Sequence, residues 1–263
     1  MTYIKNYWKD SKKRAKQAKK HTEEMIDIFY EETQYSYKYR KLYSSALSSS
    51  SEIMSRKTSI SIEAIDSVSA VFQETDMKSD TKVAVLNFAS YKKPGGMFLE
   101  GSKSQEECLC HSSNLYNVLE KCSEYYEYNK KHLNKALYLN RALYTPKICF
   151  LTDDKKNYVM CDVITCAAPN YSVAKKFCNI KESENTKALT ERIRFVFEIA
   201  KDQQVDTLIL GAFGCGVFGQ DPKTTAEIFH TLLENEYKDV FDKVVFAIPE
   251  GVNLDTFKKA WHS

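Results

Sequence analysis

Three observations on this sequence predict an α/β fold, a sheet sandwiched between helices. From about residue 58 onward, short apolar runs of strand length alternate with stretches of helical periodicity. Val83, Val85 and Leu86, and the run Leu208-Ile209-Leu210, read as strands buried on both faces, as in a parallel sheet. Each of these runs leads into a glycine cluster, Gly95-Gly96 in one case and Gly211 to Gly219 in the other. Parallel sheets place ligand-binding loops at the carboxyl ends of their strands.

The elements follow in order. The first 20 residues are basic, with Lys5, Lys9, Lys12, Lys13, Arg14, Lys16, Lys19 and Lys20 against Asp10 alone. Such a cluster reads as a solvated helix face or as an attraction for an anionic polymer. A helix is expected around Glu23 to Glu32, with Met25, Ile28 and Phe29 on one face. The serine-rich stretch from Ser44 to Ser51 reads as a loop or linker. Strands are expected at Ser59–Ile62, Lys82–Phe88, Ile148–Leu151, Tyr158–Cys166, Thr207–Leu210 and Lys243–Ile248. Helices are expected at Ile65–Phe72, Gln105–Glu120, Glu191–Lys201 and Pro222–Glu234. Asp221 is placed to cap the last of these, and Pro222 suits its first turn. Residues 1–57 are therefore read as a basic, helical extension packed on a core formed by residues 58–263.

At 263 residues the chain is long enough for one domain with a sizeable core. Its 43% hydrophobic and 28% charged residues are ordinary for a soluble globular protein. No apolar run approaches the ~20 residues of a membrane span. The first residues lack the apolar stretch of a secretory signal. A net charge of +3 is too small to imply nucleic-acid binding by the whole chain. The eight cysteines form no CxxC pair, and several lie in apolar runs, so neither structural zinc nor a disulfide framework is expected. A reducing cytoplasm is the expected compartment.

Chemistry concentrates at the two glycine clusters. Gly214-x-Gly216-x-x-Gly219 follows a strand and precedes a helix, so its N–H groups can hold a diphosphate. The bland alternative is a tight strand-to-helix turn. A nicotinamide-binding reading fits poorly, because no acidic residue ends a strand about 20 residues further on. Ser104-Gln105-Glu106-Glu107 matches a capping box, in which Glu107 would reach back to the Ser104 N–H. Successive helical residues point about 100° apart, so Glu106 and Glu107 cannot flank one bond as an ordinary glycosidase pair does. A catalytic glutamate here would act nearly alone, as a general acid or base with a raised pKa. His111 reads as a surface or capping residue. Cys215, near a helix start, could have a lowered pKa but reads as a packing residue. Lys92 and Lys93 are candidates to meet phosphates, or plain solvated lysines.

At these residues the chain resembles the microbial-type poly(ADP-ribose) glycohydrolases, a branch of the macrodomain superfamily. The similarity runs through Val85–Ser90, Pro94-Gly95-Gly96, Gln105-Glu106-Glu107, Ser112–Tyr116, Val163–Asn170 and Gly211–Gly219. The resemblance implies a macrodomain-like three-layer α/β/α sandwich with a mixed central sheet, and no metal or cofactor. It also implies that Glu107 is the catalytic acid, protonating the oxygen that leaves the anomeric carbon of the distal ribose. A neighbouring phosphate would stabilise the oxocarbenium ion, and water would complete hydrolysis. Glu106 and Gln105 would position ribose hydroxyls. Asn87, Ser90, Gly95, Gly96 and Met97 would line the ligand on one side. Gly214, Gly216 and Val217 would cradle the diphosphate, Cys215 and Gly219 would border the ligand in the same loop, and Phe218 would pack against the distal ribose.

Two departures stand out. Met97 replaces the family's usual third glycine, and Ser90 replaces an asparagine that contacts the distal ribose. The implied activity is an ADP-ribosyl glycohydrolase that acts on poly(ADP-ribose), including polymer on modified proteins. The rivals are a mono-ADP-ribosyl hydrolase of modified protein or nucleic acid, and a non-catalytic ADP-ribose reader. A pure reader has no need of an acid. Neither a membrane nor direct nucleic-acid binding is expected.

Overall fold

The alternation of apolar side chains along the strands fixes the layers. In β3 (Val83–Phe88), Ala84 and Leu86 enter one core while Val83 and Val85 enter the other. Leu208 and Leu210 of β6 (Thr207–Leu210) likewise oppose Ile209. The computed structural model describes residues 10–44, 57–75, 80–152 and 156–261. The basic Lys5 and Lys9 and most of the serine-rich stretch lie outside them.

The seven-stranded sheet has the order β1-β4-β5-β3-β6-β7-β2. The remaining strands are β1 (Lys41–Tyr43), β2 (Ser59–Glu63), β4 (Ala142–Leu151), β5 (Tyr158–Cys166) and β7 (Lys243–Ala247). The run from β5 to β2 is parallel throughout, and β1 and β4 complete it in antiparallel fashion. The sheet is therefore mixed. One face is covered by α3 (Ser67–Glu74), α4 (Gln105–His111), α5 (Leu115–Leu119) and α6 (Ser123–Lys131), with Ala18 of α1 (Ser11–Ile28) inserted among them. The other is covered by α8 (Glu182–Asp202), α9 (Pro222–Glu234) and α10 (Val252–Trp261). Two further short helices among the described residues are α2 (Tyr30–Lys38) and α7 (Tyr171–Cys178).

Several elements differ from the sequence reading. The N-terminal helix starts at Ser11, where the Asp10 side chain caps the N–H groups of Lys12 and Lys13. β1 brings residues before 58 into the sheet, so the first 57 residues do more than add helices beside it. The expected helix Gln105–Glu120 is broken at Ser112–Asn114. Ser113 Oγ bonds Leu109 O and receives the Leu115 N–H, and Asn114 exchanges hydrogen bonds with Cys149 of β4. Short polar side chains compete here with the helical ladder.

Arg192, in the middle of α8, is 2% exposed. Its guanidinium donates to Asn140 Oδ1 at 2.8 Å, to Leu137 O at 3.4 Å and to Ala167 O. These bonds hold a turn in which Asn134, Lys135, Ala136 and Tyr138 all have positive φ. Left-handed backbone costs non-glycine residues about 1–2 kcal/mol each, so the turn needs this support. Arg192→Met keeps the stem and removes the donors. It is expected to destabilise the fold by about 2–4 kcal/mol, measured by urea unfolding.

Candidate active site

Strand register brings the two glycine clusters to one edge. Phe88 pairs with Cys166, and β6 lies parallel to β3 on its other side. The loops after β3 and β6 therefore emerge side by side. They touch directly, since the rings of Phe88 and Phe213 sit 5.5 Å apart.

The loop from Lys93 to Ser102 is a succession of tight turns, with Gly95 and Gly96 both at φ +60°. Both glutamates of α4 converge on Gly96. A Cβ there would lie 2.5 Å from Glu107 Oε1 and 2.9 Å from Glu106 Oε2. The capping box does not form. Ser104 makes no side-chain cap, and Glu107 Oε1 accepts the Met97 N–H at 3.0 Å. Glu107 Oε2 is buried and has no hydrogen-bond partner.

Glu106 accepts the Ser90 N–H at 2.7 Å and the Asn87 amide at 3.3 Å. Burial pushes its carboxyl up to about 8; the Ser90 and Asn87 bonds oppose this, while the charge of Glu107 adds to it. Glu106 thus retains a proton near neutrality. This carries a stability signature. From 4.5, its ordinary value, up to about 8, the folded state holds a proton on Glu106 that the unfolded chain has lost. Stability is expected to fall as pH rises through that window. Melting temperatures of wild type and Glu106→Gln across it check this, because the substitution should flatten the slope.

Asn87 and Gln105 stand beside the carboxylates, each committed to hydrogen bonds within the protein. Asn87 is fully buried beneath Glu106 and is shared with Thr165. The Gln105 amide is committed to the end of β3, accepting from Phe88 N and donating to Leu86 O, with a further bond to Ser67 Oγ. It holds α4 in place and forms one wall of a cavity of about 480 Å³. Phe88, Lys103, Cys108, Ala212 and Asn253 also line that cavity. Cys108 is at the cavity, and Leu109 and Cys110 take the inner positions of the helix. His111, in the last turn of α4, is half-buried. Its ring packs edge-on against Phe98, and burial depresses its pKa to about 4.

Ser90 remains at the site. Its N–H holds Glu106, and its Oγ faces the N–H groups of Lys92 and Lys93 at 3.4 and 3.3 Å. The Met97 side chain is 52% exposed, outside the carboxylate pair.

In the second loop the glycines have different reasons. At Gly214 and Gly219, φ is positive and a Cβ would strike Gln220 or Ser172. At Gly216 a Cβ would meet nothing within 4 Å, and Val217 is 80% exposed. Among the described residues, the N–H groups of Gly216, Val217 and Phe218 have no internal partner. They form the open part of the cradle. The Cys215 N–H is spent on Ala212 O, and burial raises its thiol to about 12, so Cys215 packs. Behind the loop, Gln220 is locked to Asn185 by a reciprocal pair of amide bonds and also donates to Pro169 O.

An aromatic row joins the two loops. Tyr91 stacks on Tyr138 at 4.2 Å, and Tyr138 meets Phe218 edge-on at 6.3 Å. The sequence reading missed Tyr91, Tyr138, Gln220 and Arg192. Among the described residues, no group of His, Cys, Asp and Glu is clustered so as to hold a metal ion, and no helix is long and apolar enough to cross a membrane. All eight cysteines are free.

Comparison with known proteins gives this geometry a family. The family model described as microbial-type PARG, catalytic domain, where PARG is poly(ADP-ribose) glycohydrolase, matches residues 11–153. The poly(ADP-ribose) glycohydrolase of Thermomonospora curvata, solved with the inhibitor ADP-HPD, is 26% identical, with a TM-score of 0.81 over 94% of this chain and 98% of that one. The Deinococcus radiodurans enzyme in complex with ADP-ribose is 27% identical, with a TM-score of 0.77 over 88% and 96%. No curated protein sequence matches the chain. A mixed sheet between helices and a glutamate pair facing a glycine cradle agree with that match, and the chain belongs to the microbial-type poly(ADP-ribose) glycohydrolase family.

Proposed function

We propose that this glycohydrolase cleaves the ribosyl O-glycosidic bond of poly(ADP-ribose) with Glu107 as its general acid and releases ADP-ribose. The observation that carries this reading is the buried, unpartnered Glu107 Oε2. Its sister oxygen is pinned by the Met97 N–H, so the carboxyl is oriented and one oxygen is free to deliver a proton. Glu106 keeps a proton available beside it and presents its held carboxyl to the ribose hydroxyls. Having fixed Glu106 through its N–H, Ser90 borders the distal ribose.

The free N–H groups of Gly216, Val217 and Phe218 hold the diphosphate, which brings negative charge near the forming oxocarbenium ion. One strong acid and an anionic neighbour then replace the two flanking carboxylates of other glycosidases. The adenosine end takes the cavity beyond Gln105 and Ala212, since a diphosphate in the glycine loop bridges it to the glutamates. A binding-only role leaves the buried, unpartnered Glu107 Oε2 without purpose. The chain acts in the cytoplasm on this reading, and its ligand is ADP-ribose, free or in polymer.

The deciding assay is ADP-ribose release from purified poly(ADP-ribose) and from a mono-ADP-ribosylated protein. Release from the polymer, at a rate well above that from the modified protein, is expected. Release from the modified protein alone would move the enzyme to the mono-ADP-ribosyl hydrolases, and binding without release would make it a reader.

A further inference from the structure

We infer that the exposed lysine face of α1 is a track for the polyanionic remainder of the substrate, the part that leaves with the proton from Glu107. This rests on the catalytic reading above and adds to it a second, noncatalytic contact surface.

Position comes first. The substrate chain beyond the scissile bond hangs from the leaving oxygen, so it departs on the side of Glu107. That side is the loop from Lys93 to Ser102, whose Met97 N–H holds the acid. α1 is docked on the same loop. Arg14 Nε donates to Gly101 O at 2.7 Å, and a Cβ on Gly101 would lie 2.1 Å from Ser11 O. The first turn of α1 therefore starts where the departing chain emerges.

Charge is the second part. Residues 11–20 hold Lys12, Lys13, Arg14, Lys16, Lys19 and Lys20 and no acidic residue. The whole chain's net charge of +3 is smaller than the cationic excess of this one segment. Arg14, Ala18, His21 and Met25 form the buried face of the helix. At about 100° per residue, Lys12, Lys16 and Lys19 share the opposite ridge, with Lys13 and Lys20 beside it. All five are exposed. Lys20 pairs with Glu24 at 3.2 Å, while Lys12, Lys13, Lys16 and Lys19 have no carboxylate partner among the described residues.

Each unit of the polymer carries a diphosphate, and a row of unpaired lysines on a rigid helix matches that repeating charge. A nucleic acid would meet the same charges, but only the polymer has one end fixed in the adjacent cleft.

The test measures binding of long poly(ADP-ribose) and of free ADP-ribose in a Glu107→Gln background, at low and moderate salt. A Lys12→Gln/Lys13→Gln/Lys16→Gln variant, whose new residues are good helix formers, is compared with a Lys→Arg triple at the same positions. The glutamine variant should bind polymer roughly tenfold more weakly and lose about two units of the log–log salt slope. ADP-ribose affinity should be unchanged, and the arginine variant should bind polymer as the parent does. Equal polymer affinity in all three would overturn the inference, as would parent affinity for a single-stranded oligonucleotide equal to that for polymer. A polymer-specific loss in a chain that hydrolyses nothing would keep the track and discard the catalytic reading.

Discussion

Glu107→Gln is expected to lower kcat by about 10²–10⁴-fold while leaving ADP-ribose affinity close to wild type. The amide keeps the size of the side chain, and its oxygen can still accept the Met97 N–H that now holds Oε1. What disappears is the carboxyl at Oε2, the position with no other partner, and with it the acid of the proposed mechanism. If Glu107 served only to hold the Met97 N–H, the substitution would be silent, since the glutamine oxygen also accepts it. Single-turnover hydrolysis and calorimetric binding separate these outcomes, and a kcat within tenfold of wild type would remove Glu107 as the acid. Glu106→Gln should behave differently. Both Glu106 oxygens accept from N–H donors, so an amide must turn an NH₂ toward either Ser90 or Asn87. The loop carrying Ser90 then loosens, and ligand affinity falls along with kcat.

Much of this site was legible because its signals are local. β6 stands where the apolar run Leu208-Ile209-Leu210 puts it, since a strand buried on both faces leaves little room for polar residues. Asp221 and Pro222 mark the start of α9 because capping is decided within a few residues. Other features depend on distant partners. The capping-box pattern at Ser104 to Glu107 is present in the sequence, yet the turn at Gly96 offers Glu107 a different N–H. β1 has only three residues, two of them exposed, and exists because β4 offers an edge. α7 and α10 are short, and a period of 3.6 residues repeats over too few turns in them to set it apart from a loop. Arg192 did leave a trace. Leu189, Phe195, Val196 and Ile199 surround it at helical spacing, so an arginine on that stripe had to be buried. The carbonyls it serves, Leu137 and Ala167, are remote in sequence and could not be named.

Gly96→Ala tests the geometry of the pair from the other side. The added methyl would sit 2.5 Å from Glu107 Oε1 and 2.9 Å from Glu106 Oε2, and both contacts are shorter than real Cβ atoms make. The backbone also sits at φ +60°, where alanine costs about 1 kcal/mol more than glycine. Carboxylates are the ends of flexible side chains, so they will move before the turn does. Moving them breaks the Met97 and Ser90 hydrogen bonds that orient both groups. A displacement of about 1 Å at reacting groups costs on the order of 10²-fold in rate. The variant is therefore expected to fold, with a modestly lowered melting temperature, and to lose about two orders of magnitude in kcat. The pH dependence described for Glu106 should weaken with it, because a displaced carboxyl gains water and its pKa returns toward the ordinary range. A Gly96→Ala enzyme of wild-type rate and wild-type pH profile would mean that the two glutamates do not act from the positions seen here. The loss of rate and the loss of the alkaline shift must appear together, since one movement of the same two side chains causes both.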